Sequence, residues 1–451
     1  MTIGGRKASV LLFAGDIIAF AFSLWATLLI RYREIPSQDL LSAHAGPFAF
    51  LFLVWTLVFF MSGLYEKQVV FVKRDLSGRI LRTHVANIVI AALLFFFVAP
   101  LGITPKTILA IYLAISLVTV FVWRLVFFPR ISRPRAATRA VFIGSRPEEL
   151  ELAKELSGNP RYGLSVDDPI DPAKTSPDEL ARMLSDGRDF RFLILDSRDP
   201  ALRPFLPALY QHAFESERYQ VVDFLALYEE VFDRVPLSLL GYEWFFRNAV
   251  RRASGFYLFS KRAIDIIGGI LMGIVTVIAY PLIALALRIE GPGPVLIRQD
   301  RMGERGATMR AYKFRSMRFS DSGMWPGEGE NRVTRVGAFL RKTSLDEFPQ
   351  FWNVLAGEVS LVGPRNDLVP LGERLAEALP YYRVRYRVRP GITGWAQVNQ
   401  QYEQGNISPQ SVEETKLRLA YDFYYLKHRS LVLDVTIALK TIKRMFFRFA
   451  S

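Results

Sequence analysis

The chain has 451 residues; 51% are hydrophobic, 13% aromatic, and the formal net charge is +14. Cysteine is absent and the four histidines, His44, His84, His212 and His428, are scattered without an HExxH, which argues against disulfides, thiolate nucleophiles, zinc sites and Ser-His pairs. What remains is a carboxylate or hydroxyl nucleophile, a hard cation such as Mg2+, and a basic surface suited to membranes or phosphorylated substrates.

Residues 8–30 are long and apolar enough to cross a bilayer, which takes about 20 residues. Residues 47–65, 84–102 and 107–128 make three further spans, so 1–135 is expected to be a four-helix transmembrane bundle. The first run is too long for a cleavable signal peptide. Arg6 and Lys7 precede the first span, Lys67, Lys73, Arg74, Arg79 and Arg82 lie between the second and third, and Arg130, Arg133, Arg135 and Arg139 follow the fourth. The positive-inside rule then puts both ends of the bundle, and all that follows, in the cytoplasm. Asp16 falls inside the first span and is expected to be protonated or paired, with no second buried charge evident beside it.

Residues 136–250 change character. AVFIG (140–144) and FRFLILDS (190–197) read as buried strands, PEELELAKELS and SPDELARMLSD as helices, with Ser176 and Glu179 fitting a capping box. The pattern predicts a small α/β, Rossmann-like domain. Its first turn reads GSRPEE rather than GxGxxG, and Glu148 and Glu149 would repel a pyrophosphate at the helix start. A structural or regulatory role is therefore expected of this domain.

Residues 264–287 are a fifth long apolar run. Lys261 and Arg262 precede it, Arg288, Arg298 and Arg301 follow it, and Pro281 lies within it. An ordinary fifth span would export the basic remainder of the chain. A helix that enters one leaflet, breaks at Pro281 and returns satisfies both the flanks and the proline. At 431–449 an amphipathic helix is predicted. Lys440, Lys443, Arg444 and Arg448 form its cationic face, and Leu439, Ile442, Met445, Phe446 and Phe449 fill much of the rest. It suits either the membrane surface or a core with a solvated cationic face.

Between 291 and 403 the sequence is dense in glycine, arginine and aromatic residues. Lys313, Arg315, Arg341 and Arg365 offer cations from separated segments beside Gly-Pro turns, an arrangement suited to a diphosphate. Among them stands RKTSLDEFPQFWNVL (341–355), with the adjacent carboxylates Asp346 and Glu347. Ser344-x-x-Glu347 matches a capping box, but a helix capped by Ser344 would carry Pro349 at its fifth position, where the ring clashes with a carbonyl. A start at Leu345 or Asp346 tolerates the proline better. Either way the carboxylates lie near a helix N-terminus, where anions are favoured. Acidic pairs are common, and spacing alone does not assign this one.

The blocks KR..D (261–265), GP.P...RQ.R.G (291–303), YKFRSM (312–317), LRKTSLDEFPQFWNVL (340–355), SLVGPR (360–365), RPGITGWAQVN (389–399) and YD.YY (421–425) together resemble the catalytic domain of the monotopic polyprenyl-phosphate phosphoglycosyl transferases, the bacterial sugar transferase family. The resemblance covers residues 256–451, and with the bundle and α/β insert the chain is similar to the family's large form. It implies an α-rich catalytic domain with a re-entrant membrane helix broken at Pro281 and amphipathic interfacial helices. It implies transfer of a hexose-1-phosphate, with glucose or galactose favoured, from a UDP-sugar to undecaprenyl phosphate. That is the first membrane step of exopolysaccharide, capsule or O-antigen synthesis at the cytoplasmic face of the bacterial inner membrane. By match, Asp346 is the nucleophile that carries the phosphosugar and Glu347 the Mg2+ ligand. Lys313, Arg315, Arg341 and Arg365, with Gln299 and Arg301 of the RQ.R block, bind substrate. A homodimer is expected, and no nucleic acid. Two departures stand out: GPRND puts Asn366 where many members have proline, and QQYEQG follows WAQVN. Both are expected to shape the sugar pocket. A membrane-anchored dehydrogenase or epimerase would need a Gly-rich loop that is missing, and a non-catalytic membrane scaffold would leave the acidic pair among four cations without a purpose.

Overall fold

The computed structural model describes residues 5–62, 64–65, 76–97, 106–132, 138–159, 162–185, 190–211, 219–248, 253–317, 333–400, 409 and 411–450. Lys67, Lys73, Arg74, Arg133, Arg135 and most of the QQYEQG stretch lie outside them. The chain divides into two compact units, Met1–Glu230 and Val231–Ser451.

The first unit opens with four helices: α1 (Gly5–Tyr32), α2 (Gln38–Met61), α3 (Leu76–Phe97) and α4 (Lys106–Val122). A π-helical turn, Trp123–Phe127, joins α4 to α5 (Phe128–Ser132). The second helix begins earlier than its apolar run, because Ser37 caps it by accepting from Leu40 N–H and Pro47 is carried inside. A Pro is tolerated in such helices when neighbours satisfy the freed backbone groups. Phe20, Leu28, Phe48, Leu51, Trp55, Phe59 and Tyr112 form one buried core between these helices. Among the described residues, Val10–Tyr32, Gln38–Met61, Ile108–Phe127 and Gly255–Glu290 are long and apolar enough to span a bilayer, and Thr83–Leu94 is a shorter apolar stretch. The protein is a membrane protein.

Asp16 is paired, and by a residue the sequence did not single out. Arg124, inside the π turn, places Nε 3.0 Å from Asp16 Oδ1, and Tyr65 OH donates to Asp16 Oδ2 at 2.7 Å. Both charges are almost wholly buried. Asp16 therefore does have a buried partner charge, 108 positions along the chain. Only the packing of the first helix on the fourth brings the two together.

The α/β part runs β1 (Thr138–Phe142), α6 (Pro147–Gly158), β2 (Leu164–Val166), α7 (Pro177–Ser185), β3 (Phe192–Leu195), α8 (Leu206–Tyr210), β4 (Gln220–Asp223) and α9 (Phe224–Phe232). The strands form one parallel sheet in the order β2-β1-β3-β4. Both expected strands and both expected helices are present, and Ser176 caps α7 through Glu179 N–H at 3.2 Å. At the turn after β1, Glu149 folds back and accepts from Arg146 N–H at 2.9 Å. A Cβ on Gly144 would meet that carboxylate at 2.5 Å. The place where a parallel α/β sheet ordinarily receives a pyrophosphate is thus filled by the chain's own acid. The full-length protein is expected to give no saturable micromolar binding of NAD or NADP by calorimetry.

In the second unit, Asp233 and Phe245 pack on the C-terminal body. Trp395 Nε1 donates to Asp233 O at 2.8 Å, and α10 (Tyr242–Asn248) sets Phe245 against Phe423. Next comes α11 (Gly255–Glu290), one helix that runs through Pro281, where the sequence led us to expect a break. An antiparallel hairpin follows, β5 (Leu296–Met302) and β6 (Thr308–Phe314), then α12 (Arg335–Thr343), a 3-10 turn Leu345–Gln350 and α13 (Phe351–Ala356). β7 (Ser360–Val362), α14 (Val369–Ala378), a 3-10 turn Tyr382–Arg387, β8 (Gly391–Thr393), α15 (Trp395–Asn399), α16 (Val412–His428) and α17 (Leu431–Ala450) complete it. On α17, Asp434 and Ile437 face the body, while Val432, Val435 and Ile442 are exposed. Lys440 does not lie on a free cationic face: it donates to Asn399 and sits 4.6 Å from the Trp395 ring centre.

Candidate active site

The sequence blocks of the second unit divide into those that build the frame and those that meet at the carboxylates. The KR..D block builds. Lys261 donates to Val362 O and to Asp434, both at 2.9 Å; Arg262 donates to Val354 O and Leu355 O, both at 2.7 Å, closing the end of α13. Asp265 accepts from Ser360 Oγ and Leu361 N–H. Three side chains within two turns of α11 thus hold the loops that carry the site.

Arg315 also builds. Its guanidinium donates to Leu287 O, Gly291 O and Pro292 O, satisfying carbonyls that the end of α11 leaves without helical partners. Gly293 is required beside it: its φ is +131°, and a Cβ there would lie 2.1 Å from Arg315 Nη1. This is the physical content of the GP.P block. Arg315, expected among the phosphate ligands, is bonded to backbone instead. Gly391 has a comparable reason, since its Cβ would fall 2.1 Å from Gly363 N. SLVGPR and RPGITG can therefore lie backbone against backbone, and this contact carries Arg365 into place.

Asp346 and Glu347 stand in the first turn of the 3-10 segment after α12. Ser344 takes a left-handed backbone (φ 59°) that ends α12, and its side chain forms no cap. The helical turn therefore starts at Leu345, the arrangement that tolerates Pro349. A non-glycine residue held in this region is strained by about 1–3 kcal/mol, a cost that commonly marks functional sites.

Glu347 Oε1 accepts from Lys313 Nζ at 2.8 Å and from Arg365 Nη2 at 2.7 Å. Lys313 projects from β6, and its side chain is about nine-tenths buried. Burial is the largest influence on all three titrating groups. It lowers Lys313 to about 8, with Glu347 opposing and Arg301 and Arg365 adding to the fall. It raises Asp346 to about 6, the Glu347 charge pushing the same way and Lys313, Arg365 and Arg341 opposing. For Glu347 burial is outweighed by Arg365 and Lys313, which hold it well below the usual carboxylate range. Two neighbouring carboxylates are thereby driven apart, Glu347 downward and Asp346 upward. Such divergence is the mark of a pair with distinct chemical roles.

Arg341, on the last turn of α12, acts on Asp346 through space and holds no ion pair among the described residues. Gln299 and Arg301 stand on the hairpin. Arg301 Nη2 donates to Gln299 at 2.9 Å, and Nη1 donates to both Asn366 O and Asn366 Oδ1 at 3.0 Å. Asn366 is buried and anchors Arg301. Sequence reading passed over Asp367, Arg385, Arg418 and Asp422, which form a buried ionic network behind Arg365. Two sequence signals touch this network, the GPRND departure, which includes Asp367, and the YD.YY block, which includes Asp422; neither reveals the partners.

Residues 256–448 match the family model described as bacterial sugar transferase. The chain is 39% identical over 208 residues to the UDP-N-acetylgalactosamine-undecaprenyl-phosphate N-acetylgalactosaminephosphotransferase of Aeromonas hydrophila, covering 44% of this chain and 46% of that protein. It is 39% identical over 185 residues to a UDP-glucose:undecaprenyl-phosphate glucose-1-phosphate transferase of Caulobacter vibrioides, covering 40% of this chain and 68% of that protein. A protein of the same description from Xanthomonas campestris pv. campestris is 32% identical over 336 residues, with 68% and 66% covered. The match therefore spans less than half of the Aeromonas protein and about two thirds of the other two.

Proposed function

The chain belongs to the bacterial sugar transferase family, and from that premise we propose that it transfers a hexose-1-phosphate from a UDP-sugar to undecaprenyl phosphate, releasing UMP. The observation that carries this reading is the divided carboxylate pair: Asp346 raised to about 6 beside a Glu347 clamped by Lys313 and Arg365. An Asp346 oxygen attacks the β-phosphorus, and a P–O bond forms as the bond to the bridging oxygen breaks. UMP leaves with that electron pair. Asp346 is mostly ionised at neutral pH, so no base is needed. A phosphate oxygen of the lipid then attacks the same phosphorus, and the Asp346 carboxylate departs unchanged. One site can in this way serve a water-soluble donor and a lipid acceptor in turn. Lys313, Arg341 and Arg365 surround the pair and suit the charge of the transferred group.

The donor set also fits a magnesium ion. No group of three or more His, Asp or Glu residues able to hold a metal occurs among the described residues, but Mg2+ commonly takes one or two carboxylates and completes its shell with phosphate and water. Glu347, with Asp346, would hold it; when bound it supplies Lewis-acid polarisation of the diphosphate.

The catalytic unit belongs, in this reading, on the cytoplasmic face of the bacterial inner membrane, with α11 re-entrant. What supports this is that both halves of α11 touch the same catalytic body. Lys261 bonds Val362 O, Gly273 lies against Phe351, Tyr280 meets Phe314, and Leu287 O accepts from Arg315. A helix crossing to the far side would leave one end out of reach. Because the protein lacks cysteine, Ser260→Cys and Arg298→Cys can each be labelled cleanly. Impermeant maleimide is expected to reach both from the cytoplasmic side, and labelling from opposite sides would refute re-entry. The reaction itself is tested by UMP release with undecaprenyl phosphate and a panel of UDP-sugars. The named sugars of the relatives differ, so the panel must include UDP-glucose, UDP-galactose and UDP-N-acetylgalactosamine. Folded protein that releases UMP from none of its members would overturn the reading.

A further inference from the structure

Behind Arg365 lies a set of charges that the chemistry above does not use. Asp367 Oδ2 pairs with Arg385, Asp367 Oδ1 lies 2.9 Å from Arg418, and Tyr382 OH and Tyr386 OH each donate to Asp367 Oδ2 at 2.8 Å. Arg385 also bonds Asp422 at 2.9 Å. Asp367, Arg385 and Asp422 are each at most 3% exposed and Arg418 is 4% exposed. Two arginines and two aspartates sum to no net charge. Such a cluster is an expensive way to hold a fold, because desolvating the ions consumes most of what their pairing returns, and apolar replacements of similar volume are often as stable.

Its geometry points to another purpose. Arg385 Nη2 donates to the backbone carbonyl of Arg365 at 2.7 Å, and Arg365 Nη2 in turn lies 2.7 Å from Glu347. One residue further on, Asn366 fixes Arg301 through two oxygens. A flexible loop would let the Arg365 side chain choose among anions. Here its main chain is fixed by a guanidinium that is itself held by two carboxylates from two separate segments, the stretch after β7 and α16. Asp367 is suited to remain charged there: although burial opposes ionisation, Arg385 and Arg418 hold it down to about 2.

We propose that Asp367 and Arg385 are positioning residues for phosphosugar transfer, setting Arg365 against Glu347 by fixing the Arg365 carbonyl. This rests on the transferase reading above. Arg385→Lys keeps a positive charge for Asp367 and Asp422 but cannot span to the Arg365 carbonyl at the same time. Asp367→Asn keeps the shape and the acceptor for both tyrosines but weakens the hold on Arg385. Both full-length variants are to be purified beside wild type, with folding followed by thermal unfolding and size exclusion. UMP release then gives kcat and KM for the UDP-sugar per folded molecule.

The expected result is a kcat lower by about 10- to 100-fold, the usual loss when an orienting partner behind a reactive group is removed, with KM changed by less than about 3-fold. A purely structural role would lower the yield of folded protein and leave kcat per folded molecule at the wild-type value. That outcome, in whichever variant folds, overturns the proposal. So does a loss confined to KM. If neither variant folds while wild type is active, the network is a folding element and the proposal falls as well. If wild type itself releases no UMP from any UDP-sugar, the transferase reading has failed and takes this inference with it.

Discussion

Asp346→Asn is expected to lower turnover by at least about 10³-fold, in line with the loss that follows removal of a covalent nucleophile elsewhere, while UDP-sugar binding stays within a few-fold of wild type. The substitution is nearly isosteric, and Asp346 holds no ion pair among the described residues, so the fold should tolerate it. An amide cannot displace UMP. Mass spectrometry makes the decisive measurement. Wild-type enzyme incubated with UDP-sugar and Mg2+ but no lipid should carry a hexose-phosphate on the 341–355 peptide, and the Asn variant should not. An unmodified wild-type peptide, with UMP appearing only once lipid is added, would favour direct transfer and leave Asp346 at most a base.

Glu347→Gln should also remove most activity, by about 100-fold or more, for a different reason. Glu347 Oε1 is the acceptor for both Lys313 and Arg365. Its neutralisation leaves the buried Lys313 and the partly buried Arg365 short of their counter-charge. Breaking a buried pair in this way typically costs about 3–5 kcal/mol, so a lower unfolding temperature is expected together with the loss of rate. If Glu347 also holds Mg2+, the variant will need a higher Mg2+ concentration for half-maximal rate, and excess EDTA will silence the wild type. An unchanged Mg2+ requirement in a folded, slow Glu347→Gln would make the residue an anchor for Lys313 and Arg365 rather than a metal ligand. Full wild-type activity in EDTA would remove the metal altogether.

The two changes act on one feature. Burial raises Asp346, and the Glu347 charge adds to the rise; at Glu347 the contacts of Arg365 and Lys313 outweigh burial and lower it. Arg365 and Lys313 touch Glu347; Arg341 reaches Asp346 only through space.

The sequence by itself determined everything that depends on local composition and period. The apolar runs, the α/β insert between the membrane helices and the catalytic unit, and the Pro349 constraint on the helix start were all legible. Each rests on neighbours within a few residues. The acidic pair was legible too, but only as part of a long set of blocks, since two adjacent acids say little alone. Tertiary structure decided which cation does what. Lys313, Arg315, Arg341 and Arg365 read alike along the chain. Yet Arg315 closes the end of α11, Lys313 and Arg365 clamp Glu347, and Arg341 is left facing Asp346. Likewise Asp16 found Arg124, and Asn366 found Arg301. The physical reason is common to all: the charge of a side chain is a local property, but its partner is chosen by helix packing and backbone contacts between segments distant in sequence. In the second unit, Gly391 against Gly363 and Gly293 beside Arg315 leave no room for a Cβ where such segments meet.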